Sequence, residues 1–451
     1  MSSMAEIMDA LEQMGPKGLA RFEASLDPDW IDEALAASGK ASVRKRKFPA
    51  EQAIWLVLGM ALFEDRSIRA VVEHLELVLP GKGPLAGSAI PKARERLGPK
   101  PLRLLFEKVA NAWANSPGLG GYKGLALYGV DGTHVRVQDS QENFEHFGKP
   151  SSRHGDGGGY PQMRLAGLMN LSTRLLVDAR FGPYETHELE LARPLFDLVP
   201  SDSLTIVDRA FYSYELVCAL GGKGVNRHLL ARLRRNIGYE VVATLPDGSQ
   251  RVRVEPSREV RRKNHDVPPF IEGRVIAYQH PGGEPGTLFV SLLDHERYPA
   301  AELVRLYHER WEIEVAYDEL KTHMLERREC MRSKTPARVE QELWGLLLVY
   351  NLIRREMLLA AEAHKLPPQR ISFWSSLLWI RNLWITAWQT PPGTLPRHLA
   401  ELRTNLATLI LPERRSERRY PRHVKIKMSN FPRNRGKRGP PKSLSEPQET
   451  P

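Results

Sequence analysis

The chain has 451 residues, 41% hydrophobic and 26% charged, an ordinary globular composition with room for a sizeable core and two or three domains. Its 65 Lys+Arg against 54 Asp+Glu give a net charge of +11, which favours a polyanionic partner. No run of 18 apolar residues can span a bilayer, the N-terminus has no signal-peptide pattern, and only Cys218 and Cys330 are present, without CxxC spacing, so membrane, disulfide-framework and structural-zinc classes fall away and a reducing compartment is expected.

Residues 1–115 read as a helical N-terminal domain. "FPAEQAIWLVLGMALFED" has helical periodicity after the basic run Arg44 to Lys47, and "RSIRAVVEHLELVL" follows with Ser67 as its N-cap. "SAIPKARERLG" places Ser88 at a cap, Pro91 in the first turn and Gly98 as the stop. Lys92 and Arg96, four apart, share a face, so a short helix, a turn and a basic helix fit a helix-turn-helix-like DNA-binding module. The same residues also fit a small bundle with a solvated basic face.

"NSPGLGGYKG" is a linker, and strands begin after it. The pattern is a strand-like segment "LALYGVDGTHVRVQD" whose short apolar run ends at Asp131, a hairpin through "LSTR", a helix "ETHELELARPLFDLV", a buried strand ending at Asp208, another helix and the strand "NRHLLARLR". This is an α/β pattern with a mixed sheet over 124–235, continued at 300–365. Residues 236–299 form a β-rich insertion, opened by a hairpin around "PDGS". The segment 366–412 is a helical C-terminal region in which "SFWSSLLWIRNLWITAW" reads as a helix buried on nearly all sides. A basic, flexible tail spans 413–451, with 12 Lys/Arg against two Glu from Glu413 to Lys442, suited to phosphates.

Chemistry concentrates at three places. Asp131 and Asp208 each end an apolar strand run, where an α/β sheet opens onto its rim, and Gly132 leaves room for a ligand near the backbone. The third is "YHERWEIEVAYDELKTHM", read as one helix. Tyr307, Arg310, Glu314 and Lys321 lie within about 60° on its wheel, beside an apolar stripe of Leu306, Ile313, Tyr317, Leu320 and Met324. Three converging carboxylates repel, and a hard divalent cation such as Mg²⁺ relieves the repulsion and suits phosphodiester chemistry. Each element has a plainer use: an aspartate can cap a turn, and charged helix neighbours can form a solvated network. Glu319 and His323 are a further i,i+4 pair, on the far face and without a third ligand. The Gly-rich loop "RHGDGGGYP" holds neither a P-loop nor a dinucleotide fingerprint.

In order along the chain, these pieces resemble the DDE transposases of bacterial insertion sequences, family four. Tyr307, Arg310, Glu314 and Lys321 match the signature Tyr-x2-Arg-x3-Glu-x6-Lys without a gap; "YGVDGT" and "IVDRAFYS" match the two Asp blocks, and both ends of the chain look like that family's ends. The resemblance implies a ribonuclease H-like core interrupted by the insertion. It implies a triad of Asp131, Asp208 and Glu314 that binds Mg²⁺, with Mn²⁺ as substitute. Tyr307, Arg310, Trp311 and Lys321 would contact DNA, as would Lys92 and Arg96 in the N-terminal module.

The implied activity is cut-and-paste transposition: nicking at terminal inverted repeats, a hairpin intermediate, then strand transfer. The partners implied are double-stranded DNA, as transposon ends and as target, and a second copy of the chain in a homodimer; the place implied is the bacterial cytoplasm with the nucleoid. Trp311 matches one aromatic that holds a flipped base in relatives. For the other, the insertion offers Phe270, Tyr278 or Phe289, since no Trp lies between Asp208 and Arg310. Two other readings stand beside this one: a metal-dependent DNA endonuclease without efficient strand transfer, and a non-catalytic DNA-binding relative.

Overall fold

The computed structural model describes residues 26–41, 48–75, 77, 86–114, 121–150, 159–222, 224–279, 285–325, 330–386 and 394–412. The basic run, the linker and the Gly-rich loop lie largely outside these residues, and the basic tail wholly so. Strands β1 (Ala126–Arg136), β2 (Gln162–Asn170), β3 (Leu175–Pro183), β4 (Ser203–Val207) and β5 (Arg227–Arg232) form one end of a nine-stranded sheet. β6 (Glu240–Thr244), β7 (Gln250–Val254), β8 (Ile271–Gln279) and β9 (Pro285–Val290) form the other, in the order β3-β2-β1-β4-β5-β9-β8-β7-β6. β1, β2 and β3 pair antiparallel, whereas β1, β4 and β5 run parallel. This is the ribonuclease H-like arrangement that the resemblance implies. Strands 240–290 continue the same sheet through an antiparallel pairing of β5 with β9.

The hairpin through "LSTR" forms as read, with Arg174 at φ 60. Left-handed backbone costs a non-glycine residue roughly 1–2 kcal/mol, so tertiary contacts must hold Arg174 there. Near its start β3 carries an irregularity, and the Asn351 side chain takes both backbone groups of Leu176, donating to its carbonyl at 2.8 Å and accepting from its N–H at 2.9 Å. Asn351 belongs to the helix Pro336–Ala363, whose apolar runs are buried almost throughout. No helix among the described residues is long and apolar enough to cross a membrane.

That long helix packs on β3 and also on the N-terminal helices Ala50–Leu62 and Lys100–Trp113. Helix Ala89–Leu97 is tied to it by Arg94, which is buried and donates from Nε to Gln341 at 2.8 Å and from Nη2 to Ser333 at 3.0 Å. Lys92 and Arg96, on either side of Arg94 in sequence, stay exposed. Ser67 caps the preceding helix as expected, accepting from Ala70 N.

Two readings of helices need correction. Residues Phe373–Thr386 are helical but not buried on nearly all sides: Trp374 (41% exposed) and Trp379 (43%) face outward with Leu378, while Leu377, Ile380 and Trp384 face the core. The segment around Glu314 is not one α-helix. It runs as helix Ala300–Tyr307, a 3₁₀ turn His308–Arg310, helix Trp311–Asp318 and a π-helical stretch Glu319–Met324. The tight turn and the wide stretch shift the faces that a uniform 100° step assigns. The apolar stripe largely survives: Ile313, Tyr317, Leu320 and Met324 are buried, and Leu306 is half-buried.

Candidate active site

Parallel pairing aligns Val130 of β1 with Val207 of β4, and the next residue on each is an aspartate. Adjacent strands lie about 4.8 Å apart, so Asp131 and Asp208 stand side by side where the two runs end. Over them lie the 3₁₀ turn against β4 and helix Trp311–Asp318 against β1, which bring Glu314 to the same rim.

Arg310 connects the acids. Its Nη1 lies 3.4 Å from Asp131 Oδ2 and its Nη2 lies 2.6 Å from Glu314 Oε1. Burial opposes the guanidinium charge, but Glu314, Tyr307 and Asp131 hold it above its ordinary value. Burial pushes the Asp131 carboxyl up to about 6; the Gly132 N–H and Arg310 pull it down, and Glu188 and Glu314 push it up. Tyr317 donates to the Asp131 carbonyl at 2.7 Å, and Lys321 donates to Thr133 Oγ1 at 2.9 Å. Lys321 therefore reaches β1 two residues beyond Asp131, on the same face of the strand. Tyr307 is buried, which pushes its phenol up to about 12, so it serves as a donor.

The donor chemistry fits a hard divalent cation: carboxylate oxygens, no thiolate, and acids that disfavour one another's charge. Among the described residues no three His, Cys, Asp or Glu side chains converge as a metal-holding group. Between Asp131 and Glu314, the Arg310 guanidinium supplies the positive charge instead.

Several expected residues separate from this centre. Glu319 and His323 are not a metal pair: Glu319 is buried and salt-bridged to Arg174 and Arg354, and His323 packs against Trp374 at 5.4 Å between ring centroids. Trp311 is 53% exposed beside the site. Of the three insertion aromatics, Phe289 is fully buried and Phe270 has Arg253 over its ring at 4.6 Å. Tyr278 instead lies 6.1 Å from Tyr307 and seats its ring on Gly286, where any Cβ would meet it at 2.7 Å.

The sequence reading missed three features. Thr133 shares a strand face with Asp131, and alternation alone identifies it. Glu188 sits over Gly132, a proximity no local pattern announces. The end of β5 and the run after it contribute Arg232, Arg234 and Arg235 to a cleft of about 510 Å³ that also takes Arg209 and Tyr239. The density of arginine in "ARLRR" was the available signal.

Residues 16–107 match the family model described as insertion element 4 transposase N-terminal, and residues 126–352 match the transposase DDE domain. The transposase InsG for insertion sequence element IS4 of Escherichia coli (strain K12) is 36% identical over 410 residues, covering 90% of this chain and 92% of the relative. The putative transposase InsZ of the same organism is 34% identical over 233 residues, 51% of this chain and 76% of that protein. A cryo-EM structure of the piggyBac transposase synaptic complex with hairpin DNA aligns over 88% of this chain and 86% of its own, at a TM-score of 0.43 and 12% identity.

Proposed function

Because the chain belongs to the IS4 family of DDE transposases, we propose that it performs cut-and-paste transposition with Asp131, Asp208 and Glu314 as its catalytic carboxylates. The observation that carries this reading is the place where the parallel pairing of β1 with β4 stops, with Asp131 and Asp208 as the next residue on each, and where Arg310 joins Asp131 to Glu314. The three acids would hold divalent metal, Mg²⁺ with Mn²⁺ as substitute. Such a metal would supply Lewis-acid activation of the attacking water or hydroxyl and neutralisation of charge on the leaving oxygen.

The chain's own residues orient the DNA. Arg310 is a rigid fork suited to phosphate, and Lys321 a point charge anchored beside Asp131 by Thr133. Tyr307 adds a hydroxyl donor. Water attacks phosphorus, the bond to the 3′ oxygen breaks, and a 3′-hydroxyl and a 5′-phosphate remain. That hydroxyl then attacks the opposite strand to form the hairpin and, after reopening, the target DNA. Trp311 and Tyr278 are the two aromatics to hold an extruded base. The arginine cleft beside Asp208, and Lys92 and Arg96 on their exposed face, supply backbone contacts to double-stranded DNA. Two copies would pair the two transposon ends as a homodimer, in the bacterial cytoplasm at the nucleoid.

The direct test is nicking of a labelled duplex carrying the element's own end, with Mg²⁺ and with EDTA, followed by transfer of a pre-cut 3′-hydroxyl end to target DNA. Mg²⁺-dependent nicking and transfer support the reading. Nicking without transfer selects the endonuclease, and binding without nicking, even in Mn²⁺, selects the non-catalytic relative.

Lys321→Ala is expected to make the plot of log affinity against log salt shallower by about 1, the signature of one lost phosphate contact. Binding titrations from low to moderate salt measure it, and an unchanged slope removes Lys321 from the backbone contacts.

A further inference from the structure

Beyond Val130, β1 keeps its pairing with β2 but no longer pairs with β4, so the sheet holds the backbone at Asp131 on one side only. Side chains hold the Asp131–Gly132 peptide at both of its polar groups. Its carbonyl accepts from the Tyr317 hydroxyl at 2.7 Å, and its N–H donates to Asp131 Oδ1 at 2.8 Å. A donor on the carbonyl polarises the peptide and makes its N–H the stronger donor, so the phenol acts on the carboxylate through one peptide unit. The other carboxylate oxygen, Oδ2, faces Arg310 at 3.4 Å.

Tyr317 lies on helix Trp311–Asp318, three residues after Glu314, and is 4% exposed. A ring alone would fill that space, and a buried hydroxyl adds cost unless it finds a partner. Gly167, which pairs with Asp131 across β1 and β2, clears the path to the partner. A Cβ on Gly167 would lie 2.8 Å from the Tyr317 oxygen and 3.7 Å from the ring carbon that bears it. Gly167 is not among the glycines with positive φ, so the close approach of the hydroxyl, rather than the backbone, calls for glycine there. The ring is packed in the core, so the hydroxyl could yield to a side chain at position 167 only by leaving the Asp131 carbonyl. We propose that Tyr317 is a positioning residue of the active site: its hydroxyl fixes the Asp131–Gly132 peptide and so sets the Asp131 carboxylate relative to Glu314 on the same helix as the phenol. The inference rests on the reading of Asp131 and Glu314 as catalytic carboxylates.

The test uses the full chain and a labelled duplex carrying the element's own end, for wild type, Tyr317→Phe, Gly167→Ala, the double variant and Asp131→Asn. Single-turnover nicking in Mg²⁺ and gel-shift titration separate the reaction from docking. Tyr317→Phe is expected to lower the nicking rate about 10–100-fold, the scale of a misplacement of about 1 Å at a reacting centre, with end affinity unchanged. Gly167→Ala should lose rate in the same way, because its methyl displaces the hydroxyl. The double variant should nick no worse than Tyr317→Phe alone, because the methyl then fills the space the oxygen left. Losses on one shared contact do not add, whereas independent packing defects do. Wild-type nicking in Tyr317→Phe alongside lost nicking in Asp131→Asn overturns the role of Tyr317 and leaves the site reading intact. Nicking and end binding that fall together, or losses that multiply in the double variant, confine Tyr317 to packing and overturn its role as well. Wild-type nicking in Asp131→Asn overturns the reading on which the inference rests.

Discussion

Glu319→Ala is expected to destabilise the protein by about 3–5 kcal/mol, the cost of removing one partner from a buried ion pair. Glu319 lies between two guanidiniums: Oε1 accepts from Arg174 Nη1 at 2.9 Å, and Oε2 accepts from Arg354 and from the Tyr350 hydroxyl at 3.2 Å. Arg174 is further paired with Glu312, so two acids and two bases form a neutral, buried set. Burial works against the Arg354 charge, yet Glu319 and Tyr350 hold it above its ordinary value. Without Glu319 the Arg354 guanidinium is left in an apolar interior with no carboxylate. Arg174 also loses one of the contacts that keep its left-handed backbone in place.

Urea unfolding of the single variant measures the loss. The double variant Glu319→Ala, Arg354→Met should recover part of it, because replacing a buried pair by apolar groups avoids the stranded charge. A single-variant loss under about 1 kcal/mol, the scale of an exposed pair, would mean that water reaches these groups. Glu312 and Glu319 are seven residues apart and straddle Glu314, so the same set fixes the segment that presents Glu314 to Asp131.

This set also marks where the sequence stops being readable. Glu319 was visible only as half of an i,i+4 pair with His323, because nothing local reveals that two arginines, 145 and 35 residues away, close on it. The two aspartates were legible because an apolar run that stops at an acid records burial giving way to a rim, although β1 itself runs on past Asp131 to Arg136. The "LSTR" hairpin and the strand before Asp208 were legible for the same local reasons. Segment 307–324 was legible as a signature but not as a shape, since a 3₁₀ turn and a π-helical stretch depend on packing rather than propensity. The helix Phe373–Thr386 misled in the opposite direction: its apolar content is real, but Trp374 and Trp379 face outward. Glu188 could not be found from sequence because its neighbour is a missing side chain, at Gly132.

Glu314→Gln is expected to retain binding of the transposon end while lowering the nicking rate by about 10³-fold, roughly 4 kcal/mol of barrier. The amide keeps the shape and volume of the side chain, so helix Trp311–Asp318 and its contact with β1 should persist. What changes is charge. The site loses one anionic oxygen donor, and Arg310 loses the partner at 2.6 Å, leaving Asp131 at 3.4 Å as its nearest acid. A guanidinium released toward phosphate should hold end binding level or tighten it slightly, which separates this variant from one that has merely unfolded. Single-turnover nicking in Mg²⁺ and gel-shift titration on the same end DNA give the two quantities. Nicking within tenfold of wild type would remove Glu314 from the triad and leave its pairing with Arg310 as its whole role. Strong nicking loss together with lost binding would instead locate its contribution in holding Arg310 for DNA. Reduced nicking with intact binding is the outcome that a metal-ligating carboxylate requires, because its charge is needed when the phosphodiester reacts and not when the duplex docks.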